Sequence, residues 1–177
     1  PGHAGGHWPG APTGRDLRVM LKINYTLRGV GWARCEVRHD EQVRVLRVSY
    51  LTHGLAQLVM MANAALMGAR AMSVDLIDEP GTYRWSFSPI SGGIQVGITA
   101  YEEMSMFGDP GETEWQMTFD TDRLEFAQAI GDAATRVLQT HGEAEYKRLW
   151  SMAEFPSLAL QLLQHNIDER TRPADED

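Results

Sequence analysis

The chain has 177 residues, 43% hydrophobic and 23% charged, with a single cysteine and a formal net charge of −8. That length fits one domain and lets roughly 70% of the unfolded surface be buried, so folding needs no disulfide or structural metal. A lone cysteine excludes an internal disulfide and favours a cytoplasmic setting, and the overall acidity argues against nonspecific binding to nucleic acid or to anionic membranes.

The charge is unevenly spread. Residues 15–50 carry eight Lys and Arg against four acids, whereas residues 51–177 carry eight against twenty. The densest acidic stretch runs from Tyr101 to Glu125, where eight carboxylates face only Arg123.

Residues 1–15 are rich in Gly and Pro, lack periodicity and predict a disordered arm. They show no basic region followed by an apolar run, so no secretory signal is expected. Leu17, Val19, Leu21, Ile23, Tyr25 and Leu27 then alternate with polar residues, which predicts a first strand with one buried face. Gly29-Val30-Gly31 turns the chain into a second strand. There Trp32, Arg34, Glu36 and Arg38 take the polar side and Ala33, Cys35 and Val37 the apolar side. Cys35 is expected as a small buried residue. In the third strand Val43 and Val45 are followed by Leu46, Val48 and Tyr50, a change of phase that predicts a bulge near Val45-Leu46.

Thr52 is the expected N-cap of a first helix, with Leu51, Leu55, Leu58, Ala62 and Leu66 as its stripe. The apolar stretch Gly54 to Ala69 is interrupted by Gln57 and Asn63 and is too short for a membrane span. Four more strands follow. Met72, Val74 and Leu76 open the first, and a turn at Asp78-Glu79-Pro80-Gly81 leads into Tyr83, Trp85 and Phe87. Ile94, Val96 and Ile98 mark the next, and after an acidic loop come Trp115, Met117 and Phe119.

The remainder is helical. Asp122 and Glu125 have capping-box spacing, and Gly142 fits the end of that helix. A short helix is expected over 143–152, and Pro156 should open a last helix carrying Leu158, Leu162 and Leu163. Residues 168–177 predict a disordered acidic tail. The whole is an α+β chain, with a single domain over 16–167. Its largely antiparallel sheet of about seven strands carries helices packed on one face. Strand order beyond sequential neighbours stays open.

The motif search finds no HExxH, Cys-x-x-Cys, Walker loop or nucleophile elbow, so no metal, cofactor or catalytic residue is assigned. The candidate binding residues are of two kinds. Glu102, Glu103, Asp109, Glu112 and Glu114 form an acidic loop suited to a basic partner. Trp32 beside Arg34, and Tyr83 with Trp85, are aromatic anchors of the kind interfaces use.

At Gly31-Trp32-Ala33-Arg34-Cys35, Ser49-Tyr50-Leu51 and Glu79-Pro80-Gly81-Thr82-Tyr83-Arg84-Trp85 the chain resembles small uncharacterised bacterial α+β domains, a group that includes suspected immunity proteins of toxin systems. The resemblance implies an α+β fold and a protein-binding role, and it assigns no functional residue. The leading expectation is a non-enzymatic protein-binding module of immunity or regulatory type. The alternative is a small-molecule-binding protein or enzyme with a pocket between sheet and helices, lined by Tyr83, Trp85 and the Met-rich helix. A homo-oligomer formed through the arginine-bearing sheet face is a third expectation.

Overall fold

The computed structural model describes residues 20–104 and 111–172. The alternating segments become strands β1 (Lys22–Leu27), β2 (Trp32–His39) and β3 (Gln42–Ser49), then β4 (Met72–Asp78), β5 (Gly81–Ile90), β6 (Gly93–Tyr101) and β7 (Thr113–Thr121). Helix α1 (Gly54–Leu66) lies between the two groups, and α2 (Arg123–Trp150) and α3 (Ser157–Thr171) follow. The expected arm over 1–15, and Leu17 and Val19 of the first strand, lie outside the described residues.

The strands pair antiparallel in sequential order, but they form two sheets, β1-β2-β3 and β4-β5-β6-β7, where one was expected. The reason is α1. A helix inserted after β3 carries the chain away, and β4 returns beside β3 without ladder pairing. The two strands meet instead through side chains at their C-terminal ends. β3 also lies across the second sheet, with the Arg44 guanidinium 5.2 Å from the Trp115 ring centre on β7. At the hairpin end His39 stacks on Phe119 at 4.9 Å.

One apolar cluster unites the inner faces of both sheets with the helices. It includes Ile23, Tyr25, Cys35, Val37, Leu46 and Val48 from the first sheet, and Leu76, Trp85, Val96, Ile98 and Met117 from the second. Leu55, Leu58, Met61 and Leu66 come from α1, and Phe126, Ile130, Ala134 and Trp150 from α2. Cys35 is wholly buried, and burial pushes its thiol up to about 12. No helix among the described residues is long and apolar enough to cross a membrane.

Several local expectations change. The β2–β3 register runs unbroken from Trp32↔Ser49 to His39↔Gln42, so no bulge interrupts that pair near Val45-Leu46. Val43 and Val45 simply face outward on an edge strand, and Val45 is 47% exposed. Thr52 does not cap α1; its hydroxyl accepts from the Ile77 N–H at 3.3 Å, tying the helix entry to β4. Asp122 does cap α2, accepting from the Leu124 and Glu125 N–H groups at 2.7 and 3.2 Å.

The Glu125 carboxylate accepts from the Leu21 N–H at 3.0 Å, and Arg136 donates to the Ile23 carbonyl at 2.6 Å. These two side chains of α2 thus cover backbone groups on the open edge of β1, one way that edge strands are protected.

Gly142, at φ 70°, kinks α2, and the helix resumes as far as Trp150. On α3 the buried residues are Leu160 and Leu163, whereas Leu158 and Leu162 are 82% and 54% exposed. The tail expected from 168 is helical through Thr171; residues 173–177 lie outside the described residues.

Candidate docking site where the two sheets meet

Alternation along β3 turns Leu46 and Val48 inward and sends Arg47 outward, to where β4 ends in Asp78. Arg47 Nε donates to Asp78 Oδ1 at 2.6 Å, and a second guanidinium nitrogen reaches the Asp78 carbonyl oxygen at 3.3 Å. The Tyr83 hydroxyl donates to Asp78 Oδ2 at 2.6 Å. One carboxylate therefore binds a group from each sheet, with a charge-assisted bond to the first. The Arg47 guanidinium also lies over the Trp32 indole, 4.8 Å from its centre. Ser49 donates to Glu79 one residue beyond the pair.

Two shifts follow from this packing. Burial, and then the bond to Asp78, push the Tyr83 hydroxyl well above the ordinary tyrosine range, so it stays a neutral donor. The hydrogen bond and charge of Asp78 raise Arg47 further above its usual value.

A cleft of about 150 Å³ opens beside this cluster. It is lined by Arg47 and Asp78, the turn Pro80-Gly81-Thr82, and Tyr83, Tyr101, Glu102 and Glu114. Gly81 is required here: a Cβ would stand 2.8 Å from the Tyr101 carbonyl oxygen of the neighbouring strand. Glu114 owes its place to a break in register. Ala100 pairs with Trp115 and Tyr101 with Thr113, which leaves Glu114 as the extra residue of a bulge. A bulge re-aims side chains in this way.

The acidic candidates gather at the same end. Glu102, Glu103, Glu112 and Glu114 are exposed, and the Glu102 N–H donates to the Glu112 carbonyl at 3.2 Å, closing the base of the loop. No ion pair among the described residues involves any of the four. Asp109 lies outside the described residues.

The aromatic candidates divide. Trp32 is half-buried, and its cation is Arg47 from the next strand; Arg34 instead pairs with Glu36 at 2.7 Å. Tyr83 lines the cleft, and its hydroxyl is held by Asp78. Trp85 does not reach it, being wholly buried between Val74 and Ile98 with no partner for its indole N–H. Leu58 and Met61 of the Met-rich helix are equally buried.

Larger grooves lie elsewhere. One of about 540 Å³ runs between β1 and α2, lined by Lys22, Arg38, Asp132 and Arg136 among others. One of about 700 Å³ lies at the α2–α3 junction, against Lys147, Phe155 and Leu158. The first does lie between a sheet and a helix, but neither is lined by Tyr83, Trp85 or α1.

Arg47, Thr82 and Tyr101 were not among the sequence candidates. Arg47 sits at an ordinary outward position and Asp78 in an ordinary turn; only the approach of β3 to β4 joins them. Among the described residues no group of three or more His, Cys, Asp or Glu is placed to hold a metal ion. No family model, no curated protein and no solved structure matches the chain.

Proposed function

We propose that this domain is a non-enzymatic binding module that engages a basic protein partner through the acidic rim where its two sheets meet. The observation that carries the reading is the set of four exposed, unpaired carboxylates, Glu102, Glu103, Glu112 and Glu114, beside the Trp32–Arg47 stack. Unpaired acids on one rim create a field that steers a cationic partner and leaves it free to form new pairs on docking. The half-buried Trp32 supplies the apolar contact that such interfaces place beside their charges. A partner that itself binds nucleic acid would present such a basic surface, and covering it would block its activity. That outcome accords with an immunity or regulatory role.

The test is capture from native lysate with two baits, wild type and a variant carrying Glu103→Lys, Glu112→Lys and Glu114→Lys. A specific partner should be retained by the first, lost from the second, and released from the first as salt approaches 1 M, where screening lengths fall to about 3 Å. Equal capture of the same partner by both baits would refute the role of the rim.

A further inference from the structure

We infer that the outer face of the first sheet docks the acidic rim of a second copy of this chain, in a two-fold dimer. The inference shares the rim with the reading above and needs no foreign partner. The inner side of this sheet is closed by the common core, whereas Asn24, Arg28, Arg38 and Val45 are exposed on its outer side. Register lays out the outer rows: Arg28 beside Trp32, Arg34 beside Arg47, and Lys22 beside Arg38. The α2 residues that border one end, Asp132 and Arg136, are of opposite charge.

Charge complementarity carries the argument. On this face Glu36 is the only acid, and it already accepts from Arg34 at 2.7 Å and Arg38 at 3.3 Å. Lys22 and Arg28 form no ion pair among the described residues. Arg34 and Arg47 stand directly opposite on adjacent strands, where like charges repel. A chain of net charge −8 thus keeps an excess of cations on one open face, and its unpaired acids on the rim. Arg47 joins the two. Its guanidinium lies 4.8 Å from the Trp32 ring centre on the basic side, and it lines the cleft with Glu102 and Glu114 on the acidic side. Adjoining patches of opposite sign are self-complementary. A two-fold axis near Arg47 sets each basic half against the other copy's acidic half, so the contact closes on itself as a dimer. Trp32 and Val45 then fall near the axis, where apolar contacts contribute most.

The experiment measures self-association of the intact protein by sedimentation equilibrium. One variant reverses the face, with Lys22→Glu, Arg28→Glu and Arg38→Glu; the other reverses the rim, with Glu103→Lys, Glu112→Lys and Glu114→Lys. All six positions are exposed, so both variants should fold as wild type does, which circular dichroism checks. Wild type should dimerise in about 0.1 M salt. Its dissociation constant should rise about tenfold or more in about 1 M salt, as the screening length falls from about 10 Å to about 3 Å. Each variant alone should be monomeric. An equal mixture of the two should dimerise again, because the reversed face meets the reversed rim and the two unreversed patches meet each other.

A wild type that stays monomeric up to about 1 mM in low salt overturns the inference. So does a dimer that survives either reversal, which would lie on another face, or a mixture that stays monomeric. The rim reading is judged separately. The face-reversed variant keeps its rim and should capture a foreign partner as wild type does; if it does so while wild type is monomeric, the dimer fails and the rim reading stands. If the mixture restores the dimer while rim reversal leaves capture unchanged, the dimer stands and the rim reading fails.

Discussion

The two sheets present similar inner faces and different outer ones. Inward, each offers β-branched, aliphatic and aromatic residues to a common cluster. Outward, the first sheet carries Lys22, Arg34, Glu36, Arg38 and Arg47 with Trp32 and Val45. The second carries Ser73, Ser86, Gln95, Thr99, Gln116 and Thr118, with Arg84 and Asp75 paired at 2.8 Å within the sheet. Inner faces are constrained by packing and converge on the same chemistry. Outer faces are free of that constraint, and here they differ in charge. The candidate site lies where a cation from the first sheet meets an acid and a phenol from the second.

If the inner faces form one cooperative core, a large deletion in either should lower a single unfolding transition. Trp85→Ala in the second sheet should cost about 3–5 kcal/mol, and Leu46→Ala in the first about 2–5 kcal/mol. Both are measurable by urea denaturation followed by tryptophan fluorescence and circular dichroism. Two separated transitions would show that the sheets melt independently, and the shared-core account would fail.

A finer comparison uses the alkaline limb. Cys35, in the first sheet, has its thiol raised from 9.0 to about 12, chiefly by burial. The folded state therefore holds this proton more tightly than the unfolded state. Its contribution to stability is complete below pH 9 and is lost as pH rises through 9 to 12, at no more than about 1.4 kcal/mol per pH unit. Tyr25, Tyr83 and Tyr146 are raised as well, mainly by burial, so their losses begin above pH 10. Cys35→Ala should flatten the decline between pH 9 and 10 and leave the later one. The wild-type thiol should also resist alkylation until the protein unfolds.

The junction can be weighed against a pair confined to one sheet. Asp78→Ala leaves the buried Tyr83 hydroxyl without its acceptor and Arg47 without its ion pair, an expected cost of about 1–2 kcal/mol. Asp75→Ala removes one partner of Arg84 on the outer face, where both groups are more than one-third exposed, and should cost under about 1 kcal/mol. Denaturant midpoints for the two variants give the order directly. If Asp75→Ala proved the costlier, the junction would be no more than a surface contact.

Periodicity made most elements legible. Ile23, Tyr25 and Leu27 alternate cleanly because one face of β1 is buried, and Tyr83, Trp85 and Phe87 do so for the same reason. Asp122 was legible as a cap, since a carboxylate there satisfies two free N–H groups of the first turn. The third strand misled because Val43 and Val45 face outward, where hydrophobicity no longer reports burial. Leu158 and Leu162 misled for the same reason on α3. At the site, the acids of 102–114 stood out as a charge cluster. Arg47 and Thr82 carried no mark at all, because an arginine outward on a strand and a threonine after a turn are common everywhere.

What the sequence determined alone was the set of elements and their inward faces, since alternation and capping are local properties that backbone geometry enforces residue by residue. What only the tertiary structure decided was the division into two sheets and the meeting of Arg47, Asp78, Tyr83 and Thr82 at their junction. That meeting depends on where α1 returns the chain, and a crossing set by the packing of a whole helix leaves no periodic trace in the residues it brings together.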